Sequence, residues 1–348
     1  MHFAFTDQQV EFRDAVRTVL AKECTTDDLR SAFDHPVART PRWAALAGLG
    51  VVGLSVPEAQ GGLGLGLVDL VPLLEEAGKV GLPEPLVETA ALAAPLLAEV
   101  GGAGPAGDAV AGWLAGIADG RIAVAVASGP GAAPVAGADG ADLLVLLAPG
   151  DDGGPEVHLV ASPAVTVTPV GSLDPTRRLG LPQWVPNPAT RVASGPTAAS
   201  AVRRTADRAA VATAAELLGL TERMISMAAA YAKERHQFGR PIGGFQAVKH
   251  LLAGAQVKLE FARPVVYGAA WSIDEVEPTS SRAASTAKAY ASDAATEAAR
   301  VSLQVHGAIG YTWECDLHLF LKRTWALSEA WGSAADHRAL VLASLVQG

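Results

Sequence analysis

The sequence predicts a mostly α-helical protein in which a small β segment separates two helical regions. Three observations carry that expectation. Residues 1–104 place apolar side chains at helical spacing, residues 105–196 break into short apolar runs bounded by Gly, Pro and Asp, and residues 197–348 return to long alanine-rich stretches. The last part is expected to pack as a helix bundle.

Taken in order, Thr6 and Gln9 stand at capping-box spacing, and Phe12, Val16, Val19 and Leu20 recur at helical intervals. Residues 6–22 should therefore form an amphipathic helix. "PRWAALAGLG", "LVDLVPLLEEAGK" and "PEPLVETAALAAPLLAEVG" read as further helices, broken by the glycine-rich "PEAQGGLGLG" turn. In the middle part, "RIAVAVA", "ADLLVLLA" and "EVHLVA" have the length and boundaries of strands. Beyond "VPNPATRVASGP", helices are expected at 198–236, 243–273 and 279–305, with "DEVEPTSS" as a turn and a final helical stretch near 316–346.

The chain has 348 residues, 50% hydrophobic and 18% charged, enough for two or three domains with sizeable cores. A net charge of -9 without any lysine and arginine run argues against nucleic acid and anionic membrane surfaces as partners. Cys24 and Cys315 lie far apart without CxxC spacing, so neither a disulfide framework nor a cysteine zinc site is expected, and a reducing cytoplasm is the compartment that fits. The opening "MHFAFTDQQVEFRDAV" lacks the order of a signal peptide, and Glu84, Glu88, Asp119 and Arg121 break the longest apolar stretches, so no membrane span is expected.

Several motifs mislead. Gly48, Gly50 and Gly53 satisfy G-x-G-x-x-G, yet a helix precedes them where a dinucleotide fold needs a strand. "GDDGGP" at 150–155 is followed by no G-K-S/T, and its aspartates would repel an anion. Glu314, Asp316 and His318 alternate, but that spacing does not bring all three to one helical face, so they are expected to be solvent-facing and no metal site is expected. No G-x-S-x-G appears, and no serine or cysteine nucleophile is singled out.

The stretch "YAKERHQFGRPIGGFQAVKH" (231–250) is different. Arg235 in a last helical turn complements the helix dipole. The dipole does not explain Gln237, Phe238, the Gly239-Arg240-Pro241 break or Gln246 at the head of the next helix. An arginine, a flat ring and an amide at one corner suit a phosphate-bearing cofactor, because guanidinium binds oxyanions bidentately and a ring covers a heterocycle.

This stretch resembles the corresponding segment of the acyl-CoA dehydrogenase family. "LQVHGAIGYTWECDLHLFLKR" (303–323) resembles the family's C-terminal flavin-contact loop, and "WAALAGLGVVGLSVPEAQGGLGLG" (43–66) its N-terminal helical domain. The resemblance implies the family fold: a helical domain, a small β domain and a C-terminal four-helix bundle. It also implies an FAD shared between subunits, one of which donates contacts to its neighbour's cofactor. Carried over by motif position, the donated residues are Arg235, Phe238, Gln246, Gln304, Gly307 and Gly310. Arg235 would face the pyrophosphate, and Gly307 would let backbone approach the ligand, besides capping a helix.

The family's chemistry needs a carboxylate to remove an α-proton while hydride leaves the β-carbon for the flavin. The usual position of that base falls on Trp331 and the alternative position on Ala209, neither of which accepts a proton. Glu329 and Asp207 each stand two residues away, and two positions along a helix turn a side chain through roughly 200°. The segments that cradle the flavin ring in the family are also missing; the middle region holds only "VAVASGPGAAPVAGADGADLLVLLA".

The resulting expectation is a non-catalytic subunit. It resembles the shortened chain of actinobacterial α2β2 heterotetramers, in which a homologous full-length acyl-CoA dehydrogenase subunit carries the base and several members act on sterol side-chain thioesters in steroid degradation. Two alternatives stay open: a self-sufficient homo-oligomeric dehydrogenase using Glu329 or Asp207, and a flavin-free scaffold or acyl-CoA-binding protein.

Overall fold

The computed structural model describes residues 4–35, 40–101, 105–129, 133–150 and 153–346. The chain opens with α1 (Asp7–Glu23), α2 (Thr26–Asp34), α3 (Pro41–Gly48) and α4 (Leu67–Val80), then a π-helical turn (Val87–Ala93) that runs into α5 (Ala94–Val100), and α6 (Pro105–Ala118). Six strands follow: β1 (Val124–Val126), β2 (Leu143–Pro149), β3 (Pro155–Ala161), β4 (Thr166–Pro169), β5 (Gly180–Gln183) and β6 (Arg191–Ala193). After α7 (Gly195–Glu234) come the two-residue strands β7 (His236–Gln237) and β8 (Arg240–Pro241). The chain ends with α8 (Gln246–Asp274), α9 (Ser280–His306), α10 (Leu317–Glu329) and α11 (Ala334–Val346).

Local chemistry sets the helix starts. Thr6 N donates to Gln9 Oε1 at 2.9 Å and Gln9 N to Thr6 Oγ1 at 3.2 Å, the reciprocal capping box that the spacing predicts. Thr25 and Asp28 make the same box before α2, a helix the sequence reading passed over. A second difference lies at 105–118, where a helix precedes the first strand of the expected β segment. Val110, Leu114 and Ile117 are buried there at helical spacing, so packing of one helical face decides the local structure. The final helical stretch is also two helices. Trp331 (φ 58°) and Gly332 (φ 104°) take left-handed conformations that break it. Ser333 and Asp336 then cap the start of α11.

The described residues form two compact units. The first comprises 1–23, 31–73 and 83–209. Its sheet has the order β1-β2-β3-β6, with β1 parallel to β2 and the other pairs antiparallel; β4 and β5 form a separate antiparallel pair. Ala125, Leu144, Leu146 and Val160 build its β core, with Trp184 packed against it. In the helical part Arg42 and Glu84 are both buried and pair at 3.0 Å.

The second unit comprises 24–30, 74–82 and 210–348. Buried alanines 284, 287, 291, 294, 295 and 298 line α9, so neighbouring backbones can approach closely. Contact is closest between α4 and α7: a Cβ on Gly219 would stand 2.0 Å from the Glu75 carbonyl oxygen, and one on Gly78 2.1 Å from that of Glu216. Arg263 joins this crossing to α8, meeting Glu75 at 3.0 Å, Glu222 at 2.8 Å and Glu260 at 2.9 Å.

Candidate functional site

The corner predicted from the sequence closes on itself through main-chain bonds. Arg235 N donates to Tyr231 O at 2.9 Å and extends the last turn of α7; Ile242 N donates to Arg235 O at 2.8 Å and turns the chain back. Between them β7 and β8 pair antiparallel, His236 with Pro241 and Gln237 with Arg240. The two linking residues, Phe238 (φ 53°) and Gly239 (φ 79°), are both left-handed, as a tight hairpin of this hand requires. Glycine takes that conformation freely, whereas a bulky aromatic does so at a cost.

The Phe238 ring is 91% exposed, with its edge toward Phe245 at 6.1 Å, and the Arg240 guanidinium lies 4.1 Å over the Phe245 ring. Gln246, the first residue of α8, is exposed. Arg235 is exposed as well and makes no ion pair among the described residues.

The second predicted segment caps the same end of the second unit. Tyr231 and His306 stack at 4.6 Å and 19°, one turn before Arg235 and one residue before Gly307. His306 Nδ1 donates to Ser302 O at 2.8 Å; burial holds its imidazole below the ordinary histidine range, so the ring is neutral and packs as a flat plate. Gln304 is exposed on the last turns of α9.

Gly307 ends that helix at φ 65°, ψ -143°, a region open essentially to glycine alone, and no atom lies within 4 Å of where a Cβ would stand. Gly310 differs from this group. It is buried, and a Cβ there would come 2.9 Å from a Leu303 methyl and 3.1 Å from His306 Cβ, so its position is set by packing of the loop on α9.

The Tyr231–His306 stack therefore brings the segments of Arg235 and Gly307 to one end of the second unit, and Phe238, Gln246 and Gln304 are exposed on those segments. This donor set fits the pyrophosphate and flat heterocycle of a dinucleotide, and nothing in it recommends a metal. Among the described residues, no group of three or more His, Cys, Asp and Glu could hold one.

The two positions to which the resemblance assigns the base are Trp331 and Ala209. Ala209 is fully buried on α7. Trp331 sits in the turn after α10, which the lysine of α9 fastens: Lys288 is fully buried and donates to Ser328 O at 2.9 Å, Gly332 O at 3.0 Å and Ser292 Oγ at 3.2 Å. His337 Nε2 donates to Trp331 O at 3.0 Å. Glu329 is exposed and lines a groove of about 970 Å³ with Lys258, Phe261, Tyr290 and Arg338. Asp207 is half-buried in the first unit.

The sequence reading missed Lys288. Its signal was a lone lysine in phase with alanines 284, 291 and 295 on the buried face.

The misleading motifs resolve in part. Gly50 follows α3, a helix, as the sequence suggested. Asp151 and Asp152 lie outside the described residues. The expectation that Glu314, Asp316 and His318 all face solvent is corrected. Asp316 pairs with Arg30 at 2.5 Å, and His318 is buried edge-on against Trp313 at 4.4 Å, because the helix starts at Leu317 and turns His318 inward. Among the described residues no helix is long and apolar enough to cross a membrane.

Comparison with known proteins identifies the family. Residues 6–121 match the acyl-CoA dehydrogenase N-terminal domain and residues 199–346 the acyl-CoA dehydrogenase C-terminal domain. The chain is 32% identical to acyl-CoA dehydrogenase IpdE2 of Mycolicibacterium smegmatis over 91% of its own length and 92% of that protein. Among solved structures it is similar to the ChsE4-ChsE5 complex from Mycobacterium tuberculosis, with a TM-score of 0.89 at 25% identity and full coverage of both chains. It is also similar to the Tcur3481-Tcur3483 steroid ACAD, with a TM-score of 0.85 at 29% identity over 98% of each chain. The chain belongs to the acyl-CoA dehydrogenase family.

Proposed function

We propose that this chain is the non-catalytic subunit of a heteromeric, FAD-dependent acyl-CoA dehydrogenase of the cytoplasm. It donates half of a shared flavin site, and a homologous full-length subunit supplies the carboxylate base. The observation that carries this reading is a pairing. Exposed, ligand-ready groups crowd one end of the second unit, while an indole occupies the base position.

In this reading Arg235 binds the pyrophosphate through charge-assisted hydrogen bonds, Gln246 and Gln304 orient polar edges, Phe238 covers a flat face, and Gly307 admits backbone contact. Gly310 keeps the loop seated on α9 and, with Gly307, presents main chain to the cofactor. When bound, the flavin accepts hydride from the β-carbon of the acyl thioester. Removal of the α-proton falls to the partner, since Trp331 and Ala209 offer no acceptor.

Two relatives bear on assembly and substrate. The ChsE4-ChsE5 structure is a complex of two named chains, and the Tcur3481-Tcur3483 protein is described as a steroid ACAD. An α2β2 assembly acting on a sterol-derived acyl-CoA follows for this chain by analogy.

The test is flavin absorbance per chain, first for the protein purified alone with excess FAD and then after co-expression with a dehydrogenase homologue encoded beside it. Almost no flavin alone and about one per heterodimer is expected. Full loading of the isolated chain would sink the reading. Arg235→Ala should weaken flavin retention in the complex by roughly 10- to 150-fold, the equivalent of a charge-assisted hydrogen bond of about 1.5–3 kcal/mol.

A further inference from the structure

The hairpin after α7 is too short to hold its own tip. β7 and β8 pair over two residues each, and an isolated pair of strands has marginal stability in water. Main chain secures its base: Ile242 N donates to Arg235 O at 2.8 Å, and a Cβ on Gly243 would stand 2.9 Å from the Ala232 carbonyl oxygen. The tip is Phe238 and Gly239, at φ 53° and 79°. Glycine holds that conformation freely, whereas an exposed phenylalanine needs support from outside the turn.

That support comes through Phe245. Arg240, on the strand leaving the tip, lays its guanidinium 4.1 Å over the Phe245 ring, and the Phe238 ring meets the same ring at 6.1 Å and 88°. A cation over an aromatic face and two rings at right angles are both attractive arrangements. Phe245 is itself fixed at the start of α8, where its N donates to Ile242 O at 3.1 Å and its O accepts from Lys249 N at 3.2 Å. Among the described residues the Arg240 side chain makes no hydrogen bond or ion pair, so the ring is the group that holds it. Arg235 differs: it has neither an ion pair nor a ring contact among the described residues, and its guanidinium is free for a ligand.

We propose that Arg240 is a positioning residue of this corner: through Phe245 it holds Phe238 in its left-handed, solvent-facing conformation before any ligand arrives. The contacts that make this clamp are those of the chain itself, and its consequence for flavin binding rests on the half-site reading above. A ring ordered beforehand has already lost the freedom that association would remove, so the clamp raises cofactor affinity without Arg240 touching the cofactor.

The experiment uses the co-expressed complex stripped of flavin, with amide hydrogen exchange of the hairpin and FAD affinity measured on the same samples. Arg240→Met keeps the aliphatic stem and Phe245→Leu keeps the arginine, and each removes the stack. Each is expected to speed exchange at the tip and to weaken FAD binding by roughly three- to fivefold, the scale of an exposed cation–π contact, with the far-ultraviolet spectrum unchanged. The double variant is expected to be no worse than either single one, because both act on one contact. Arg240→Lys, which returns a cation to the ring, should recover part of both effects. Weaker FAD binding with unchanged exchange overturns the assignment, since Arg240 would then touch the cofactor directly, and so do losses that add in the double variant. Unchanged FAD affinity in Arg240→Met overturns it as well. Arg235→Ala in the same complex separates the two readings: an affinity that falls with Arg235→Ala but not with Arg240→Met removes this assignment alone, and one indifferent to both removes the half-site reading too.

Discussion

Tyr231 and His306 stack face to face at 4.6 Å, and this contact sets Arg235 and Gly307 at the same end of the second unit. An aromatic pair of this kind contributes about 0.5–1.5 kcal/mol beyond its area. Tyr231→Ala should therefore loosen the register between the ends of α7 and α9 and lower flavin retention of the co-expressed complex several-fold. Tyr231→Phe keeps the ring and should behave as the unsubstituted chain. Equal retention in both variants would show that the stack does not position the two segments.

Trp331→Glu puts a carboxylate at the position where the half-site reading expects the family's base. The half-site reading expects no dehydrogenation from the isolated variant, supplied with FAD, acyl-CoA and a dye acceptor, because on that reading the chain does not hold the flavin ring by itself. The variant turn should still form, since Lys288 and His337 grip main-chain carbonyls and not the indole. Turnover by Trp331→Glu alone would show that this chain holds the reactive ring by itself.

Much of this was legible in the sequence because it is local. The Thr6–Gln9 box, the long α7 and the Arg235 corner are each fixed by residues within a few positions of one another. What was not legible depends on partners distant in sequence. His318 is buried because α10 turns it against Trp313, beside a carboxylate gripped by Arg30 from nearly three hundred residues earlier. The packing role of Gly310, beside an exposed Gly307, depends on where Leu303 and His306 lie. Helix α6 was not legible because its glycines and Pro105 resemble the turns of a β region, while the apolar face that decides its structure is only three residues wide.

Gly219→Ala tests the closest helix crossing. The added methyl would stand 2.0 Å from Glu75 O and 2.6 Å from Lys79 N, both main-chain atoms that cannot swing aside. Overpacking of this kind typically costs about 1–3 kcal/mol. Because the crossing also carries the Arg263 network, denaturant unfolding should show a loss at or above the upper end of that range. A change below about 0.5 kcal/mol, the level of an ordinary surface substitution, would mean that the helices separate freely there.

His318 gives the stability of the second unit a pH dependence of defined sign. Burial, reinforced by the nearby charges of Lys322 and Arg30, lowers its pKa to about 4, against 6.5 for the ordinary group. Between these values the unfolded chain binds a proton that the folded chain excludes. The stabilising contribution of the neutral ring is therefore complete above pH 6.5, falls as pH drops toward 4, and levels off below that. At about 1.4 kcal/mol for each tenfold change in proton affinity, the loss amounts to roughly 3 kcal/mol across the window. His306 and His337 are displaced in the same direction by burial, so the unsubstituted protein will slope for more than one reason. The difference between it and His318→Leu isolates this residue. Denaturant unfolding of both at steps from pH 7 to pH 4 should show the variant losing less stability on acidification. Parallel curves would place the His318 ring in water and remove it from the support of Trp313.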